Sequence, residues 1–150
     1  MEQTATSEAK SKKLNRVIFI LSLLGVLIAI YVFQSFVRQA PIVCVNSGCE
    51  TVRKSASSYI YGIPVPGVGL VGYSIIAILA FLRTTQSKNK FQFLKGILGM
   101  STFGVLFVSW FTYMELFVIR AICTWCAISA VNMVAIFLLT LKSYSLGRTR

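Results

Sequence analysis

The sequence predicts an all-α integral membrane protein: a four-transmembrane-helix bundle with a short amphipathic helix in the first extracytoplasmic loop. Three observations carry this. The chain of 150 residues is 56% hydrophobic, with a mean hydropathy of +0.76. Its apolar residues gather into four stretches, 17–37, 67–82, 96–114 and 121–141. Its basic residues lie between these stretches, many on one side and few on the other. At a rise of about 1.5 Å per residue each stretch can cross a hydrocarbon core of about 30 Å, the second only just. A soluble globule of this size has no need of charge-free runs that long.

In a soluble protein a net charge of +11 would suggest nucleic acid. Its distribution argues for a bilayer instead. Lys10, Lys12, Lys13 and Arg16 precede the first span, Arg83, Lys88, Lys90 and Lys95 lie between the second and third, and Lys142, Arg148 and Arg150 follow the fourth. Eleven of the fifteen basic residues thus share one side, and Arg38, Arg53, Lys54 and Arg120 fall on the other. The positive-inside rule places both termini and the 2–3 connection in the cytoplasm. The expected location is a bacterial inner membrane, with no nucleic-acid partner. All four cysteines, Cys44, Cys49, Cys123 and Cys126, then face the extracytoplasmic side, where disulfides persist.

Taken in order, 1–16 is a polar cytoplasmic tail expected to be disordered. The first span resembles a secretory signal, but its apolar core is too long. Arg38 also occupies the −3 position before Ala40, the only small-residue site, so a retained helix is expected. Tyr31, Phe33 and Phe36 suit an interfacial aromatic belt. In the outer loop, Ser47-Gly48-Cys49-Glu50 has the form of a capping box that starts a helix with Cys49 in its first turn. Val52, Ala56, Tyr59 and Ile60 continue it as one apolar stripe, opposite Arg53, Lys54 and Ser57. Gly62-Ile63-Pro64-Val65-Pro66-Gly67 ends it and turns the chain into the second span. Glycines in the second and third spans permit close helix approach. Glu115 and Arg120 flank a short outer turn and read as a solvated interface pair. The chain after Lys142, 142–150, is a second polar tail, expected to fray. The redox domain is 17–141.

The chain has no histidine, no aspartate and four isolated glutamates. That excludes serine-hydrolase, carboxylate-pair and histidine-zinc chemistry, and leaves thiols. In Cys123-Thr124-Trp125-Cys126 the cysteines stand at i and i+3 on a helix, close enough for a disulfide or a metal. The first is expected to meet water and the second to lie one turn deeper. A helix N-terminus lowers a thiol pKa, which favours thiolates at Cys49 and Cys123. Arg120 adds to this at Cys123, Glu50 opposes it at Cys49, and an apolar setting raises Cys126. Four-cysteine zinc is a competing use of two close pairs, but one pair opens a membrane span and no metal is expected. Two structural disulfides are the other competing use.

The order of motifs is similar to that of the vitamin K epoxide reductase family. The matching residues are Cys44, Cys49, Glu50, Val52, Ser55, Gly62, Ile63, Pro64, Gly69, Gly72, Tyr73, Cys123 and Cys126. The resemblance covers roughly 17–141. It implies that Cys123 and Cys126 form the active-site disulfide facing a quinone, of ubiquinone, menaquinone or vitamin K type. It also implies that Cys44 and Cys49 shuttle electrons, and that Ser55 lines the quinone pocket. Ser57 stands where the family usually has an aromatic, and Ala130 where eukaryotic members have a tyrosine. Some bacterial relatives fuse a thioredoxin-like domain to the bundle. These residues leave no room for one, so a separate periplasmic or lumenal thioredoxin-like protein is the expected partner. The implied activity is that of a membrane thiol:quinone oxidoreductase supporting disulfide formation in exported proteins. The alternatives are a vitamin K quinone or epoxide reductase of an endoplasmic reticulum membrane, and a non-catalytic tetraspan protein with structural disulfides.

Overall fold

A computed structural model describes residues 2–86 and 88–148, with side chains from residue 5 onward. Arg150, counted above with the cytoplasmic charges, lies outside the described residues. The chain forms α1 (Glu2–Arg38), α2 (Gly48–Lys54), β1 (Tyr59–Ile60), β2 (Ile63–Pro64), α3 (Val65–Thr85), α4 (Lys90–Tyr113) and α5 (Thr124–Arg148). Among the described residues, four helices are long and apolar enough to span a membrane. The architecture is therefore the expected all-α membrane bundle. α1 packs on α3 and α5, and α4 packs on the same two helices from the other side. Leu, Ile, Val and Phe side chains exposed along the spans provide the lipid-facing surface.

Two clusters of buried side chains fill the bundle. Ile18, Tyr73, Ile76, Ala80, Ile97, Met133 and Ile136 form the one nearer the termini. There Gly104 lets α4 and α5 close together, since a Cβ at that position would overlap the Met133 side chain. Ile28, Val32, Phe36, Ile42, Val52, Val65 and Phe111 form the other, with Cys49 and Cys123 inside it. The cysteines are core residues of that end.

The helices are longer than the hydropathy predicts. α1 begins at Glu2 and α5 runs to Arg148, so neither polar tail is disordered over its described part. Both tails are held by polar side chains. Arg83 is buried near the end of α3 and donates to Asn15 Oδ1 (3.1 Å), Ser11 Oγ (2.8 Å) and Ser143 Oγ (3.1 Å). Asn15 donates in turn to the Ala80 carbonyl and to Thr84. This network ties α1, α3 and α5 at the end that carries both termini.

The outer loop differs most from expectation. α2 stops at Lys54, and Ala56–Ser58 is a single 3₁₀ turn. The apolar stripe is therefore split between α2 and a hairpin, with no long amphipathic helix. Ser55 takes an extended conformation and its Oγ accepts from the Ser57 N–H, a local bond that competes with helix continuation. Tyr61 and Gly62 both have positive φ between β1 and β2, the geometry of a two-residue hairpin turn. Ser47 precedes α2 but its side chain makes no capping bond. Glu50 is turned instead to Arg53 and the Ile42 N–H. Of the three aromatics expected in an interfacial belt, Phe36 is buried against Tyr59 and Tyr31 packs on Trp125.

Candidate active site

Cys44 and Cys49 are disulfide-bonded, whereas Cys123 and Cys126 are thiols. Cys49 occupies the first turn of α2, and the Cys123 thiol lies 3.3 Å from its sulfur. The sulfurs of Cys44, Cys49 and Cys123 all fall within 4.8 Å of one another. Several local features produce this juncture. A Cβ on Gly48 would overlap the Ile122 carbonyl, so only glycine lets α2 seat against the start of α5. Trp125 Nε1 donates to the Val43 carbonyl (2.8 Å) and its ring packs on Tyr31, pinning the loop that carries Cys44. The Ser58 hydroxyl donates to the Val52 carbonyl and closes the C-terminal end of α2.

Cys123 stands immediately before α5, and its carbonyl accepts the first helical bond, from the Ala127 N–H (3.0 Å). Its thiol is held below the ordinary value. The main cause is hydrogen bonding from the Cys126 thiol. Burial opposes the shift, and the Cys126 and Trp125 backbone N–H groups add to it. The helix end thus acts through its free N–H groups. Arg120 takes no part, because it is exposed and adopts the left-handed conformation that ends the preceding segment.

The exposure of this pair is the reverse of expectation. Cys123 is the enclosed thiol, 2% exposed beneath the outer loop. Cys126 is half-buried and lines a cavity of about 370 Å³ between the spans. The cavity wall is almost entirely apolar, with Val32, Val68, Phe103, Phe107 and Met133 among its residues. Its polar groups are few. The Tyr73 hydroxyl donates to the Ser129 carbonyl at 2.7 Å and lies 3.1 Å from Ser129 Oγ. Ser129 and Thr112 complete them. A site of this size, apolar with a few hydroxyls and a thiol at its edge, fits the flat head of a quinone. Ala130 lines the wall, and Ser55 is not among the lining residues.

Glu115 is the residue that the sequence reading missed. It is 3% exposed and sits in a π-helical segment, Met114–Ile119, that continues α4. Its carboxylate lies within 4.8 Å of both the Cys123 and Cys126 sulfurs. The expected solvated pair with Arg120 is therefore not formed. Two signals pointed inward. Glu115 follows buried Phe111 by one helical turn, and Leu116-Phe117-Val118-Ile119 continues the apolar run beyond it. A lone ionisable residue inside a membrane segment is a functional candidate by default.

The model of the vitamin K epoxide reductase family matches residues 16–141. That is most of the chain, and the chain belongs to this family. No curated protein matches it. With four spans and paired cysteines, family membership makes the chain a membrane oxidoreductase.

Proposed function

We propose that the chain is a membrane thiol:quinone oxidoreductase. It would pass electrons from a thioredoxin-like partner through Cys44/Cys49 to Cys123/Cys126 and on to a quinone, supporting disulfide formation in exported proteins. The observation that carries this is the 3.3 Å contact between Cys123 and Cys49, with Cys126 on the far side facing the apolar cavity. One pair meets the loop surface and the other meets the hydrocarbon, and a single sulfur contact joins them.

The chain's own residues set the order of exchange. Half-buried Cys44 takes the attack of a partner thiolate, and Cys49 leaves. Cys49 attacks Cys123 of a Cys123–Cys126 disulfide, and Cys126 leaves toward the cavity. The partner's second thiol releases it from Cys44 as a disulfide. Cys44 then attacks Cys49, which restores the Cys44–Cys49 bond and frees Cys123. The arrangement in the structure, a bonded loop pair above a reduced span pair, corresponds to this stage. A bound quinone supplies a two-electron, two-proton acceptor, and its higher potential sets the direction. Tyr73, Ser129 and Cys126 are the groups placed to hold its head. Ser55 lies in the 3₁₀ connection with its hydroxyl on the Ser57 N–H, and a shaping role in the loop suits it better than direct contact. We assign the loop face to the extracytoplasmic side and both termini to the cytoplasm, on the charge distribution.

Cys126→Ser tests the relay. Cys123 then has no mate, and its attack on Cys49 sets up an equilibrium between the Cys44–Cys49 bond and a Cys49–Cys123 link, which alkylation of the freed Cys44 traps. Peptide mapping without reductant should find that link, and quinone-dependent oxidation of an added dithiol should be lost. A variant that lacks the link and oxidises dithiol at the normal rate sinks the relay and favours bracing disulfides.

A further inference from the structure

We propose that Glu115 is the proton-transfer residue of the Cys123/Cys126 pair: its carboxyl protonates Cys126 as that sulfur leaves, and takes the proton back when Cys126 must become a thiolate. This rests on the redox role of the pair proposed above.

The placement leaves the carboxyl little else to do. Glu115 is almost fully enclosed, and its Oε1 is buried with no hydrogen-bond partner. Buried polar atoms are ordinarily satisfied. Among the described residues neither ion pair involves Glu115, since Glu50 accepts both, from Arg53 and Lys54. The titratable groups that face it are Cys123 and Cys126 at the start of α5. From α2 the nearest candidates are Cys49, already bonded to Cys44, and Arg53, already paired with Glu50 at 2.7 Å. On its own segment Arg120 is exposed, and Tyr113 of α4 is exposed against Phe117. No cation on these elements offsets its charge. A carboxylate and a thiolate within 4.8 Å in an apolar site cannot both stay ionised at neutral pH. The three groups must therefore share protons, as coupled acids do. The π-helical segment supports the same conclusion, because such turns are rare and recur at functional sites.

The exchange step balances through this group alone. The Cys49 thiolate attacks the Cys123 sulfur, the Cys49–Cys123 bond forms, and the Cys123–Cys126 bond breaks. Cys49 is oxidised and Cys126 reduced. The electron pair departs on the Cys126 sulfur, which receives the proton of the neutral Glu115 carboxyl. One negative charge is thereby moved from Cys49 to Glu115. When the dithiol is later oxidised, the carboxylate takes the Cys126 proton back and regenerates the thiolate.

The test uses the full chain in lipid nanodiscs without quinone. The oxidised protein is reduced with dithiothreitol, quenched in acid and mapped for free thiols. Appearance of the Cys126 thiol is measured against loss of the Cys44–Cys49 bond, which cancels the ionisation of the reductant. Glu115→Gln should slow that ratio about 10²-fold at neutral pH, the usual worth of a general acid, and leave loss of the loop disulfide unchanged. In the wild type the ratio should fall at high pH as Glu115 loses its proton. The variant should lack this fall, and Glu115→Asp should restore both the fall and part of the rate. Equal ratios and equal pH profiles in wild type and Glu115→Gln would overturn the proposal. If Glu115→Gln does not assemble, the wild-type profile decides, and a ratio that never falls at high pH overturns it equally. Failure of Cys123 and Cys126 to form a disulfide at all would instead overturn the relay.

Discussion

Among the described residues, two charged side chains are buried within the spans, Arg83 and Glu115, at opposite ends of the bundle. Arg83 donates to Ser11, Asn15 and Ser143, neutral groups from two other helices. Glu115 has a buried oxygen with no partner and two thiols beside it. Burying a charge is costly in either case. At Arg83 that cost is offset by charge-assisted hydrogen bonds that fix three helices in register. At Glu115 it is left partly standing, on the one oxygen without a partner, next to the atoms where protons must move. A satisfied buried charge is architecture, and an unsatisfied one is held in reserve for chemistry.

The comparison predicts opposite outcomes for two similar substitutions. Arg83→Met keeps the length of the side chain and removes its hydrogen bonds, leaving Asn15 and Ser143 short of a partner. Unfolding in detergent should show a loss of ~3 kcal/mol, since bonds to a charged group are worth about 1.5–3 each. Thiol exchange per folded molecule should be unchanged. An unaltered unfolding midpoint would mean that the network is not structural. Glu115→Met should do the reverse. Replacing a buried carboxyl that has one unpartnered oxygen by an apolar chain should leave stability unchanged or raise it by ~1 kcal/mol, while exchange at Cys126 slows about 10²-fold. A loss of stability like that of Arg83→Met would place Glu115 with the architecture and end the contrast.

Both residues show where sequence reasoning stops. Four spans, their connections and the shared face of the cysteines were legible because hydropathy and charge act over whole segments. Arg83 was read as a loop charge because hydropathy falls before α3 ends, yet Asn15 and Ser143 let the helix continue. Glu115 was read as the edge of a turn because the apolar run was stopped at its charge. The helix instead continues through the π turn, and Phe111 one turn earlier marks the buried face. Proximity of Cys49 to Cys123 depends on the fit of Gly48 under Ile122, which no periodicity encodes. Spacing left disulfide, zinc and bracing uses of the two close pairs open, and only the family resemblance implied a Cys123–Cys126 disulfide. Which of Cys123 and Cys126 faces the cavity depends on the loop that lies over α5.

A third charged group, Glu50, supplies the solvated reference for the comparison, and the smallest expected effect. It lies on α2 with its side chain one-third exposed, and accepts from Arg53 at 2.7 Å and from the Ile42 N–H at 3.3 Å. Its carboxyl titrates below the ordinary value, chiefly because Arg53 donates to it. A lowered folded value means that the contact stabilises the docked loop above the unfolded carboxyl pKa of about 4.3. That stabilisation is lost as pH falls through the folded value. Reduction of the Cys44–Cys49 bond by a water-soluble phosphine reports how well the loop is docked. Glu50→Gln should be reduced somewhat faster than wild type at neutral pH, because the neutral amide accepts from buried Arg53 without a charge. The ratio of the two rates should approach one only once pH has fallen through the folded value, where both carry a neutral side chain. A ratio of one at all pH values would show that the pair does not hold the loop. A ratio that grows in acid would contradict the sign of the shift, and would group Glu50 with the buried carboxyl of Glu115.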